Sequence, residues 1–246
     1  MHAFTKLTVS EFRLLLREPV LAFFGLLFPA LLVAILGSIP VMREPSPEIG
    51  GLRVIDLYVP IALVLAIVSL GLQGMPQILA TYRERGVLRR MATTPASPIM
   101  LLGAQVTMAT LTSIGAGLLA LLVGRIAFDV AFPSRPFIYV IAFLLCAAAV
   151  FALGLLVAAV APSGKAANGI GMALFFLLMF FAGLWTPREA MPGWLQRIGE
   201  LTPAGAGQAA IQAASVGDWP PLQCVIALLA YLGIFSYGAV KFFRWS

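Results

Sequence analysis

Apolar residues in this chain come in six long blocks rather than in short alternating runs. The blocks lie near Val20–Ile39, Leu57–Ala80, Ile99–Gly124, Phe137–Val160, Ala167–Trp185 and Leu222–Val240. A helix rising 1.5 Å per residue needs about 20 residues to cross a hydrocarbon core of about 30 Å. Strands of a membrane barrel would instead alternate over segments of about 10 residues. A helix also satisfies its own backbone hydrogen bonds where no water is present. The pattern predicts an all-α integral membrane fold with six transmembrane helices, built as one domain over residues 1–246.

Two stretches outside the blocks carry their own periodicity. Ahead of the first block, Lys6, Ser10, Arg13 and Arg17 are spaced along one helical face, and Val9, Phe12, Leu15 and Leu16 gather on another. This predicts an amphipathic interfacial helix over residues 1–19, with its basic face toward lipid headgroups. Glu18 before Pro19 supplies a bend into the first span. The alternative is a plain extension of that span. Glu11 and Glu18 in this segment, and no small-residue cleavage site after the apolar run, argue against a removable signal sequence. Between the fifth and sixth blocks, prolines at 187, 192, 203, 220 and 221 punctuate "MPGWLQRIGELTP" and "AGAGQAAIQAASVG". This segment either dips into the membrane and returns, packed on protein, or forms a surface helix pair anchored by Trp185 and Trp194.

Composition strengthens the membrane reading. The chain is 61% hydrophobic and 11% charged, whereas soluble domains carry roughly 25% charged residues. The net charge of +6 does not point to nucleic acid, because its placement is topological. With six spans, ten of the sixteen Lys and Arg fall on the side of the two termini: Lys6, Arg13, Arg17, Arg83, Arg85, Arg89, Arg90, Lys165, Lys241 and Arg244. The excess predicts cytoplasmic termini. Cys146 and Cys224 lie in or beside apolar blocks and read as buried thiols rather than a disulfide or a metal site. His2, the only histidine, sits at the start of the chain and takes no role.

Several chemistries lack their residues. The nearest text to a phosphate-binding loop, "PSGKAAN", lacks the first glycine and has Ala166 where a magnesium-binding hydroxyl belongs. One histidine excludes H-E-x-x-H, and no G-x-S-x-G is present. Every carboxylate falls outside the blocks or at their ends, so the titratable groups of an ion-coupled carrier are missing from the spans. What the spans do carry is uncharged polarity. Gln73 and Gln77 are four residues apart in the second, and Gln105, Thr107, Thr110, Thr112 and Ser113 lie in the third. Such groups either bond helix to helix or line a polar pathway.

The densest charge lies between the second and third blocks, in "YRERGVLRRMATTPASP". Glu84, Leu88 and Met91 are spaced for one helical face, Arg85 and Arg89 for the next, and Pro95 and Pro98 stop the run. This predicts a short helix over residues 83–93 projecting beyond the membrane.

The stretch resembles the cytoplasmic signature of type-2 ABC exporter permeases, Glu-Arg-x-x-Gly-[Thr/Val]-Leu-x-x-Leu-x-x-Thr-Pro. Gly86, Leu88, Thr94 and Pro95 fall on its positions and Met91 replaces the usual leucine; Glu84 and Arg85 supply the Glu-Arg pair directly before the glycine, and Arg89 follows Leu88. A second resemblance follows the fifth block. In "FFAGLWTPREAMPGWLQRIGELTP", Pro187, Met191, Pro192, Trp194, Leu195 and Pro203 match the family's outer segment. "LLREPVLAFFGLLFPALL" is a weaker echo at the first span.

The resemblance implies a permease without catalytic residues, cofactor or metal of its own. ATP and magnesium would be bound by a partner ABC ATPase present in two copies, and the permease would pair with itself or a sister chain. Residues 83–93 would be the coupling helix seated in the ATPase, and about 187–214 the outer re-entrant gate. The setting would be a bacterial inner membrane and the cargo a drug-like or antibiotic-like amphiphile. The alternatives are a lipid or lipid-linked glycan exporter, or a membrane scaffold or sensor that moves nothing. Where many relatives carry an aromatic residue and an arginine after Thr-Pro, this chain reads "TPAGAGQAAIQAA".

Overall fold

The computed structural model describes residues 2–49, 51–92 and 98–242. Helix α1 (His2–Arg17) precedes a bundle of six helices long and apolar enough to cross a membrane. These are α2 (Pro19–Gly37), α3 (Val54–Glu84), α5 (Pro98–Phe128), α6 (Pro136–Val160), α7 (Gly164–Phe181) and α10 (Leu222–Phe242), here spans one to six. A short helix, α4 (Val87–Ala92), joins spans two and three. Two more, α8 (Gly193–Glu200) and α9 (Pro203–Val216), lie between spans five and six.

The six spans are not equivalent. The most apolar window of span two is 89% buried, against 22–61% for the other five. Span two therefore runs through the middle, packed by spans one, three, four and five. Span six sits outside, on span four and α9. An apolar helix enclosed in this way gains little from lipid. Its place is set by shape and by close backbone approach.

That approach is built from glycine. Residues 69–74 of span two form a π-helical turn, in which the ladder is offset by one residue. A Cβ placed on Gly154 of span four would lie 2.0 Å from the carbonyl oxygen of Gly71. One placed on Gly171 of span five would lie 1.9 Å from that of Leu72. Two neighbours thus touch consecutive carbonyls of the π turn, and any side chain would prevent it.

The loop ends of span two are fastened by arginine. At its start, Arg53 forms a two-point pair with Asp56 (both 2.7 Å) and donates to the carbonyls of Phe128 and Asp129, where span three ends. At its other end, Arg83 donates to the carbonyls of Ala158 (3.0 Å), Ala159 (3.2 Å) and Ala161, where span four ends. In each case a cation meets the negative end of a helix dipole and occupies carbonyls that have no intrahelical donor.

Helix α1 stops where Glu18, extended ahead of Pro19, turns the chain into span one. Its expected apolar face divides. Glu11 and Leu15 are buried and Leu7 half-buried, a stripe four residues apart that docks mainly on span three. Val9, Phe12 and Leu16 stay exposed, as do Lys6, Arg13 and Arg17. The docking stripe of α1 therefore has a carboxylate at its centre, which the count of apolar residues alone did not suggest.

The glycine contacts make a sharp stability prediction. Gly154→Val and Gly171→Val should each destabilise the bundle by at least ~1–3 kcal/mol, the usual cost of overpacking. Gly169→Ala, with open space at its Cβ, should be neutral. Thermal unfolding in detergent, followed by the loss of the monodisperse peak, separates the two groups.

Candidate functional site

Three places carry the polar residues that the apolar spans lack. The first is the connection between spans two and three. The expected continuous helix over residues 83–93 is not what forms. Span two continues to Glu84, and Arg85 and Gly86 make a turn in which Gly86 has φ +65. The new helix α4 begins only at Val87. Glu84 and Leu88 therefore do not share a helical face, because a left-handed residue lies between them. Glycine adopts that conformation without penalty, and no atom lies within 4 Å of where its Cβ would be.

The break gives the two sides of α4 different tasks. Leu88 is buried with Leu101 of span three and Ala159 of span four, and Leu7 of α1 packs on the same cluster. Glu84, Arg85 and Arg90 are exposed, and Arg90 donates to the carbonyl of Arg85 (3.2 Å). The result is an apolar peg in the bundle under a charged outward surface. The side chains of Arg89 and Met91, and residues Thr94 and Pro95, lie outside the described residues. Arg83, one of the four clustered arginines, faces inward onto span four, a role that its spacing did not reveal.

The second place is a groove of about 330 Å³ bounded by the start of span one, the middle of span two and span five. Gln73 and Gln77 line it with Glu18 and Asn168, and Leu21 and Met172 form apolar wall. Among the described residues neither glutamine side chain has a hydrogen-bond partner, so this pair does not join helix to helix within the chain. Gln105, Thr112 and Ser113 are buried, and the two hydroxyls bond back to carbonyls of their own helix.

The third place is the hairpin after span five. Thr202 caps α9 by accepting from Gly205 N (3.1 Å), Pro203 occupies its first turn, and Gly217 with φ +97 ends it. The Thr-Pro start and the glycine stop were readable signals for a helix here. Gly207 packs so closely on Cys146 that a Cβ would meet its Sγ at 2.2 Å. Cys146 lies ten residues into span four, about 15 Å along it. At its other end α9 returns to the start of span four, where Ser134 N donates to the carbonyl of Ser215 (3.0 Å). Helix α9 thus begins deep beside span four and climbs to its mouth.

Met191 and Pro203 are buried in this hairpin, Pro187 and Leu195 are half-buried, and Pro192 and Trp194 are exposed. The residue that ties it together is one the matching positions pass over. Arg188 is only 7% exposed and donates to Glu200 of α8 (3.0 Å) and Gln208 of α9 (3.0 Å). Glu200 also accepts from Gln223 at the start of span six (2.5 Å). One buried cation therefore joins the loop, both short helices and the last span. Removing one partner of a buried pair costs about 3–5 kcal/mol, because the other is left unpaired. Arg188→Met should release the hairpin, read as protease cleavage within residues 182–202 of a protein whose six spans still assemble. In a double-mutant cycle with Glu200→Gln, the two losses should fall well short of adding.

No group of three or more His, Cys, Asp or Glu among the described residues is placed to hold a metal ion. The geometry is that of a membrane bundle with an apolar peg under a charged surface on one face and a pinned hairpin on the other. No curated protein sequence matches the chain. The profile of the ABC-2 type transporter family does, over residues 2–215, from α1 to the last turn of α9. The match takes in the peg, the groove and the hairpin together, and the chain is a multi-pass membrane protein that belongs to the ABC-2 type transporter family, whose permeases generally act with an ABC ATPase.

Proposed function

We propose that this chain is the permease of an ATP-driven exporter that moves a drug-like amphiphile outward across a bacterial cytoplasmic membrane. In this reading the termini and α4 face the cytoplasm, two permeases pair, and two ATPase subunits bind ATP and magnesium beneath them. The observation that carries the reading is α4. A helix of six residues, set off by a left-handed glycine, charged outward and keyed inward by Leu88, is built to receive a push and pass it on. Glu84, Arg85 and Arg90 would meet the ATPase, joined by Arg89 and Met91 of α4. Leu88 passes the stroke to spans three and four and to α1, and Arg83 passes it from span two to the end of span four.

The groove lined by Gln73 and Gln77 is the proposed entry for cargo. Two unpartnered amides and Asn168 offer hydrogen bonds to a polar head, and Leu21 and Met172 offer apolar contact to a body. A lipid with its headgroup on these amides fits the same chemistry and is the second reading. The hairpin of Pro187, Met191, Pro192, Trp194, Leu195 and Pro203 is the proposed outer gate, which opens when Arg188 and its partners shift together.

The test is co-purification with the candidate ATPase, then ATP hydrolysis in nanodiscs with panels of amphiphilic drugs and of lipids. The compound class that stimulates hydrolysis names the cargo. Gly86→Asn should keep stimulation, because asparagine tolerates a positive φ. Gly86→Val should leave insertion intact and cut stimulated hydrolysis about tenfold, in line with a strain of ~1–2 kcal/mol. A chain that binds no ATPase, or for which valine is as good as asparagine, would be a scaffold whose arginines only orient it.

A further inference from the structure

Helix α1 is held on the bundle by a carboxylate that has no cation. Glu11 is 4% exposed. Gln105 of span three, fully buried, donates its Nε2 to Glu11 Oε2 at 2.5 Å, and the hydroxyl of Tyr82 in span two lies 3.2 Å from both carboxylate oxygens. Among the described residues Glu11 has no ion pair. Charged groups on the neighbouring elements are otherwise engaged or exposed. Arg83 is bound to the carbonyls that end span four, and Glu84, Arg85 and Arg90 face outward. Span three has only Arg125, at its far end and paired with Asp129. On α1 itself Lys6, Arg13 and Arg17 are exposed, as is Glu18 beyond it.

One further atom decides how the cluster is filled. Gln105 Oε1 is buried and has no donor. An ionised Glu11 can only accept, so it leaves that oxygen unsatisfied and places an uncompensated charge between three helices, both of which are costly. A protonated carboxyl carries a donor that an ionised one lacks, and it removes the uncompensated charge.

We propose that Glu11, Gln105 and Tyr82 form a proton-binding site that latches α1 to spans two and three. Glu11 takes a proton from water as α1 docks and returns it to water as α1 lifts. Burial raises the affinity of Glu11 for a proton above that of a free glutamate, whose pKa is 4.5, and the Tyr82 hydroxyl opposes part of that rise. The sign follows from this. Docking is strongest at low pH, weakens as pH climbs from about 4.5 toward the docked value, and is constant above it. Because Leu7 of α1 shares the cluster of Leu88, lifting α1 would also loosen α4. That consequence rests on α4 being the coupling helix; the proton site does not.

The test uses the permease alone in nanodiscs. Infrared spectra taken across a pH titration should show the carbonyl stretch of one protonated carboxyl persisting above the pH at which a free glutamate loses it, and absent in Glu11→Gln. A spin label at Ser10→Cys, an exposed position on α1, should become mobile as pH rises in the otherwise native chain and stay immobile in Glu11→Gln, which mimics the protonated acid. Tyr82→Phe removes the donor that favours the charged form, and should move the midpoint to higher pH. The site is overturned if the spectra of the native chain and Glu11→Gln agree in the carboxyl region, if both labelled chains respond alike to pH, or if Tyr82→Phe moves the midpoint down. Since none of these readouts involves an ATPase or a cargo, failure here leaves the exporter reading standing, and the reverse holds as well.

Discussion

The contact on which this bundle depends is one of backbone on backbone. At the π turn of span two, the carbonyls of Gly71 and Leu72 are met by Gly154 of span four and Gly171 of span five, with no room for a side chain on either glycine. Lipid is as apolar as leucine, so burying more leucine would not hold a membrane helix in the centre. Close packing does, since many dispersion contacts and weak Cα–H···O contacts add up where two backbones touch. The offset ladder of a π turn presents its carbonyls sideways, and the two glycines use them. Span two is enclosed because its neighbours can come this near.

With the middle of span two held by shape, its ends are held by charge. Arg53 and Arg83 each lie on the carbonyl end of a different neighbour, span three at one mouth and span four at the other. This arrangement makes span two a rod that cannot slide without pulling on both. Only two residues separate Glu84 from the start of α4. A force applied to α4 is therefore delivered close to Arg83, and through it to the end of span four. At the other end, Tyr58 of span two donates to the carbonyl of Leu184 (3.0 Å), which opens the loop leading to α8. The central span touches both the peg and the hairpin.

The spans were legible because hydropathy over about 20 residues has only one structural meaning in lipid. The bend at Glu18-Pro19 and the short helix before span three were legible for local reasons of the same kind. What was missed depends on contacts between residues far apart in the chain. Glu11 looked like one charge among several on an amphipathic helix. Only its meeting with Tyr82 and Gln105, 71 and 94 residues away, makes it the buried centre of the docking face. Arg83 counted as a topological charge until the end of span four, 75 residues on, appeared beneath it. At Gly86 the error was local: a run spaced for one helix was read as continuous, although glycine inside it was the signal for a break. The hairpin matched at its prolines and tryptophan, yet Arg188 is what organises it, and an arginine beside a proline carries no sign of being buried.

Glu11 and Arg188 have something in common that apolar packing cannot provide. Helix α1 and the α8–α9 hairpin are two parts of the fold that are not spans, and each is secured around a single buried ionisable group. An apolar contact weakens gradually as it opens, because its strength follows area. A buried polar group has only two satisfactory conditions, fully partnered inside or fully hydrated outside, and the positions between them are costly. Elements fastened in this way have two states rather than a range. In a bundle whose centre is held by glycine contacts, the movements proposed for α1 and the hairpin fall on the two elements fastened in this way.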